Sequence, residues 1–451
     1  TLHRKTAVSF RDTSLLQVFQ FAITTLKNIK ESGMQAVAGT VEGQEHRICN
    51  FALSLATSCL SFDFIGTNPE ESAEDVGTVQ VPSSWRSIVQ DPATMQLFLT
   101  FYAETEPPRS NQALECLVQL SSVRRSLFSS EKERTAFLEA LMKGIHDILI
   151  SQKGLAHVNN YHQFCRLLGR LKACYQLSEL VKTKGFSEFL ELARDFTIKS
   201  LQNWQYSMNS IHYLLALWGR LVAALPYLRA ETQAQIQARM LKQCVMTVVD
   251  NYIKTMLSSV EVVRNSDGAI EDPLDDEGSL REQMDRLPVI ARLQYETVAQ
   301  FLISCFEEQL NYYEQGLQVP PSPPVEHQLA IIEGKMTWLT YMVAAVVGSQ
   351  SPSDPRRSKN ELLWDGRLST CVYKLVQIID FRLGQTNGMG KCDEKLEVAI
   401  LFYFKAFKKV YMVDSVGGSL GMVPGGSPAH PLLSLALQYA SVKTSESKEN
   451  G

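Results

Sequence analysis

Apolar residues recur along most of this chain at the three- and four-residue spacing that places them on one face of a helix. From Ser130 the sequence reads Ser-Glu-Lys-Glu, a capping box. Phe137, Leu141, Ile145 and Ile148 then fall on one stripe, with Leu138, Met142 and Leu149 beside it. A second stripe carries Tyr161, Cys165, Leu168, Leu171 and Tyr175. A third carries Ile211, Leu214, Trp218, Leu221 and Leu225 and stops at Pro226. Asp91-Pro92 supplies an N-cap followed by a proline suited to the first helical turn. Alternation with period two is nearly absent, and the best strand candidate is the short run Thr78 to Val81.

Placing stops at the loops predicts helix pairs near 12–61, 91–128, 130–183, 186–225, 236–315 and 325–384, with one further helix near 392–413. This is an all-α pattern: an α-α superhelix, a HEAT-like or ARM-type solenoid of about six hairpins plus one unpaired helix. One hairpin cannot cover its own apolar stripe, so neighbours bury one another and build a surface suited to large partners. Residues 1–413 form the repeat segment. Residues 414–451, rich in Gly, Ser and Pro, read as a disordered or aberrant tail. The unpaired final helix is expected to leave Leu401, Phe404 and Val410 uncovered.

Composition narrows the function classes. Gly 25 and Pro 17 together make about 9% of 451 residues, below average usage, which agrees with long uninterrupted helices. A net charge of -4 speaks against a nucleic-acid partner. Nine cysteines without a C-x-x-C pair fit a reducing compartment rather than a disulfide framework. No run of about 18 apolar residues appears, so the chain reads as soluble, intracellular and independent of a membrane. It begins at Thr1 rather than Met, which suggests a piece of a longer protein.

Candidate chemistry is sparse. Between Asp267 and Gly278, six carboxylates (Asp267, Glu271, Asp272, Asp275, Asp276 and Glu277) occur with no Lys or Arg. The order is wrong for an EF-hand, so the stretch reads as a solvated loop or as a site for a basic partner. Arg124, Arg125, Arg166, Arg170 and Lys172 could meet an acidic partner from one wall of the array, although each alone reads as exposed helix charge. Thr67 to Ser84 is a second acidic loop, and Pro320 to Pro324 an inter-helix spacer. Gly417-Gly418-Ser419-Leu420-Gly421 matches a nucleophile elbow, but Pro424-Gly425-Gly426 follows where a helix is required. His162 and Cys165 lack a second ligand pair for zinc, and Cys165 reads as a core residue. No cofactor is called for.

Specific strings carry a resemblance. Ser9-Phe10-Arg11-Asp12-Thr13, Leu60-Ser61-Phe62-Asp63-Phe64-Ile65-Gly66-Thr67 and Pro82-Ser83-Ser84-Trp85-Arg86-Ser87 are among them. So are Ser122-Val123-Arg124-Arg125-Ser126-Leu127-Phe128, Asn160-Tyr161-His162-Gln163-Phe164-Cys165-Arg166 and Asp365-Gly366-Arg367-Leu368. Over about residues 3 to 411 the chain resembles the middle of the exportin-seven group of Ran-binding receptors in the importin-β superfamily. The resemblance implies a HEAT-repeat arch that binds Ran-GTP together with protein cargo in the nucleus. Such a receptor contacts Phe-Gly nucleoporins while crossing the pore, releases its load in the cytoplasm and performs no chemistry itself. Grooves between neighbouring helices would take the Phe-Gly repeats. The alternatives are a generic HEAT scaffold for a multiprotein complex and a serine hydrolase using Ser419.

Overall fold

The computed structural model describes residues 2–38, 43–62, 79, 81–228, 232–349, 358–385 and 392–411. The predicted tail 414–451, including Ser419, and most of the acidic loop Thr67 to Ser84 lie outside them. Among the described residues the structure is all-α, a stack of helical repeats. Of the expected strand at Thr78 to Val81, Thr78 and Gln80 lie outside the described residues, and Val79 forms an isolated parallel bridge with Val123. The chain divides into two compact units, Thr1–Val248 and Val249–Gly451.

In the N-terminal unit α1 (Leu2–Phe10) continues through a π-helical turn into α2 (Leu16–Ser32). There follow α3 (Gln44–Leu60), α4 (Pro92–Glu104), α5 (Arg109–Ser121), α6 (Glu131–Ser151), α7 (Val158–Cys174), α8 (Phe186–Gln202) and α9 (Trp204–Ala224). α3, α5, α7 and α9 stack in succession as one layer, and α2, α4, α6 and α8 cover them as the other. The caps read from the sequence are present. Ser130 Oγ accepts from Glu133 N at 3.2 Å while Glu133 Oε2 accepts from Ser130 N at 3.2 Å, and Asp91 Oδ1 accepts from Ala93 N at 2.9 Å. The three apolar stripes are buried, apart from a half-buried Leu225. Trp218 is fully buried, and its indole N–H donates to Thr197 Oγ1 at 3.0 Å. Layers meet closely where a glycine allows it. A Cβ on Gly144 of α6 would sit 2.7 Å from Leu99 Cδ1 of α4.

α10 (Thr232–Arg264) runs through the boundary between the units. The C-terminal unit adds α11 (Glu277–Ala291), α12 (Tyr295–Leu317), α13 (Pro323–Val347), α14 (Lys359–Gln385) and α15 (Glu394–Tyr411). The expected single pair over 236–315 is thus three helices. The break between α11 and α12 is a 3₁₀ turn, Arg292–Gln294, that carries neither glycine nor proline to announce it. α13 is the hub of this unit. It is long and apolar enough to cross a membrane, but 78% of its apolar window is buried among neighbouring helices.

The last helix is not unpaired. α15 packs along α13 more extensively than α14 does and buries Leu396, Ala399, Ile400, Tyr403 and Val410. Of the residues expected to be uncovered, Leu401 is exposed, Phe404 is half-buried and Val410 is buried. The pairing was misassigned because α13 is apolar on most of its circumference and accepts helices on several sides.

Candidate interaction surfaces

The acidic stretch is divided in its duties. Asp272 Oδ1 accepts from Leu274 N at 3.0 Å, and Asp276 Oδ1 accepts from Ser279 N at 3.0 Å, which caps α11. Asp272 Oδ2 and Asp275 Oδ1 grip Lys395 Nζ at 2.7 and 2.6 Å. Burial disfavours the charge of Lys395, but the two carboxylates outweigh it and raise its pKa above the ordinary 10.5. Asp267, Glu271 and Glu277 are exposed, with Asp267 at φ 50° and Gly268 at φ 82° turning the chain back. The stretch therefore fastens the start of α15 with some carboxylates and presents others to solvent.

Beneath it lies a buried ionic knot that sequence reading missed. Glu333 Oε1 of α13 accepts from Tyr313 Oη at 2.6 Å and from Arg382 Nη1 at 2.8 Å, and Glu333 Oε2 accepts from Asp393 N at 2.8 Å. Arg264 closes the knot by pairing with Asp393. A second knot joins Asp365 to Arg292, Tyr295 and Tyr411. Nothing local marks Glu333 or Asp365, since their partners lie tens of residues away in sequence.

The five basic residues also separate. Arg124 and Arg125 follow α5 and are exposed, and Arg125 Nη2 lies 2.6 Å from Glu131. Arg166 on α7 is half-buried, with Nη1 3.4 Å from Gln163 Oε1. Lys172 Nζ donates to Tyr175 O at 3.1 Å. Arg170 is only 9% exposed, which corrects its reading as exposed helix charge. Its guanidinium sits near the C-terminal end of α7 beside Cys174, where main-chain carbonyls favour a cation.

In the C-terminal unit the ends of α12 and α14, the start of α13 and the proline spacer enclose an open groove of about 970 Å³. Leu317, Val319, Leu329, Ile378 and Phe381 line it, with Phe381 67% exposed. The spacer shapes this groove because prolines cannot continue α12, so the chain leaves that helix and restarts as α13 at Pro323. Lys374, Glu314 and Glu326 stand at its rim.

His162 and Cys165, the remaining candidates among the described residues, sit within the packed helices. His162 Nδ1 lies 3.1 Å from Ser210 Oγ and its ring meets Tyr213 edge-on. Cys165 is buried, and burial pushes its thiol far above the ordinary range. Among the described residues no three His, Cys, Asp or Glu side chains gather as a metal site.

A family profile described as "Exportin-7-like, TPR domain" matches residues 259–421. Exportin-7-A of Xenopus laevis is 40% identical over 416 residues, which covers 92% of this chain and 36% of that protein. Over most of its length the chain is similar to proteins of the exportin-7 group. Ran-binding protein 17 of Homo sapiens is 38% identical over 417 residues, again 92% of this chain and 36% of the relative. Exportin-7 of Dictyostelium discoideum is 28% identical over 417 residues, 92% of this chain and 39% of the relative. The chain thus spans little more than a third of the length of these curated relatives. Its acidic stretch, both ionic knots and the α12–α14 groove lie inside the residues matched by the family profile.

Proposed function

We propose that this chain is the part of a nuclear export receptor that contributes to gripping Ran-GTP and protein cargo and that contacts Phe-Gly nucleoporins during passage through the pore. The receptor then shuttles between nucleus and cytoplasm. The observation that carries the reading is the similarity, at about 40% identity over 92% of the chain, to proteins named exportin-7, with Ran-binding protein 17 close behind. Geometry supports it. Stacked hairpins couple separate ligands through small rotations between repeats, and an exposed phenylalanine in an apolar groove suits a short aromatic ligand. In this reading Asp267, Glu271 and Glu277 are the carboxylates of the acidic stretch that meet a basic partner, because Asp272, Asp275 and Asp276 already serve the fold.

The test is a pull-down of the full-length receptor with Ran locked in its GTP or its GDP form. Retention of the GTP form alone is the expected result. Equal retention of both forms, or of neither, overturns the receptor reading.

A further inference from the structure

The groove at the ends of α12 and α14 and the start of α13 carries charge that the fold does not use. Two cations line it, and each already holds a carboxylate. Lys374 Nζ lies 3.8 Å from Glu307 Oε1, and Arg382 Nη1 lies 2.8 Å from Glu333 Oε1. Two carboxylates line it as well, Glu314 and Glu326. Both are exposed, and neither has a side-chain partner among the described residues.

Helix electrostatics account for one of these carboxylates and not for the other. Glu326 stands in the first turn of α13, where open N–H groups favour a negative charge. Glu314 stands in the last turn of α12, beside open main-chain carbonyls that are themselves negative, and that turn holds no basic residue. A carboxylate in this place opposes the helix dipole instead of complementing it. Next to it the groove is apolar: Leu317, Val319 and Ile378 line it, and Phe381 is 67% exposed. A volume of about 970 Å³ lies at the upper end of the range of binding clefts and takes a peptide segment of several residues.

We propose that this groove selects aromatic peptide segments in which Lys or Arg borders the aromatic residue. The ring lies against Phe381, and the cation meets Glu314 and the carbonyl end of α12, with Glu326 as a second counter-charge. Charge complementarity carries the choice of occupant, because the cations of the lining already hold carboxylates whereas Glu314 and Glu326 hold no described cation. The inference deepens the nucleoporin contact proposed above and rests on it: among Phe-Gly segments the groove takes those with basic neighbours and disfavours those with acidic ones.

The experiment is fluorescence anisotropy of short labelled peptides titrated with the whole chain. Two peptides share the same Phe-Gly centre and carry either Lys or Glu flanks; a third keeps the Lys flanks with Ser in place of Phe. The wild-type chain is expected to bind the Lys-flanked Phe-Gly peptide about fivefold to tenfold more tightly than the Glu-flanked one, a difference that shrinks as salt rises. Glu314→Gln is expected to remove most of that preference and Glu326→Gln a smaller part, while Phe381→Ser weakens both Phe-Gly peptides several-fold. All three variants alter exposed side chains, and thermal unfolding checks that each folds as the parent does. Lys391→Ala removes the one cation of residues 386–391, which lie outside the described residues, and is expected to bind as wild type does. Three results overturn the proposal: a Ser peptide that binds as tightly as its Phe counterpart, a Lys preference unchanged in both Glu variants, or a preference that emerges only in Lys391→Ala. Equal affinity for the two Phe-Gly peptides, lost in Phe381→Ser, overturns the selection and leaves the nucleoporin contact standing. Binding of no peptide removes both, and the Ran pull-down judges the receptor reading separately.

Discussion

The two units solve the same packing problem with different chemistry. Between the helices of the N-terminal unit, polar side chains mostly reach main-chain carbonyls: Arg86 to Leu127 O, Arg134 to Cys174 O, Arg220 to Gly169 O and Gln237 to Val181 O. In the C-terminal unit they mostly reach one another, with Glu333 and Asp365 each at the centre of a knot of arginine and tyrosine. A main-chain carbonyl is present whatever the sequence, so a donor aimed at it tolerates change in its neighbours. A buried carboxylate is more demanding, because losing any one partner strands the others in low dielectric.

That difference can be broken experimentally. The largest effect is expected for Trp218→Ala in the N-terminal unit, about 3–5 kcal/mol, because a fully buried indole and its bond to Thr197 are lost together. Urea unfolding followed by circular dichroism measures it, and a loss under about 1 kcal/mol would mean that the stripe is not core. Next comes Glu333→Gln, expected to cost about 2–4 kcal/mol because the Arg382 guanidinium loses its buried counter-charge. The double variant Glu333→Leu/Arg382→Leu should recover much of that cost, whereas additive losses would show that the knot is not a unit.

A smaller effect sharpens the contrast by pH. Burial tends to raise the pKa of Glu179, but bonds from Arg134 and from Gln176 N outweigh it and leave it below the ordinary 4.5. Its contribution to stability is therefore complete above about 4.5 and is lost as pH falls through the lower folded value. Melting temperatures of Glu179→Gln and wild type should differ at neutral pH and converge in acid. The Lys395 clamp behaves oppositely: with its pKa raised, it holds at neutral pH and weakens only in alkali above 10.5. Smallest is Asp276→Ala, expected to cost about 1 kcal/mol through loss of the α11 cap. No change in unfolding midpoint would return Asp276 to the group of carboxylates available to partners.

Legibility follows the same division. Phe137 to Leu149, Tyr161 to Tyr175 and the Trp218 stripe were readable because burial repeats with the helical period, and Ser130 and Asp91 because caps are local. The break at Arg292, the docking of α15 on α13, and the partners of Glu333 depend on residues far apart in sequence, which a periodic pattern does not encode. The candidate surfaces were half legible. Six carboxylates in one short stretch were visible, but Lys395, which takes two of them, lies well over a hundred residues further on. Arg170 looked like surface charge because its spacing on α7 says nothing about the helices that close over it.

The most direct test of the interaction-array account is hydrogen-exchange mass spectrometry of the whole chain with and without a Phe-Gly repeat peptide. The account predicts added protection concentrated at 314–329 and 374–382, where α12, α13 and α14 frame the groove around Phe381, and its loss in Phe381→Ser. Protection spread evenly over the chain, or none at either segment, would contradict it.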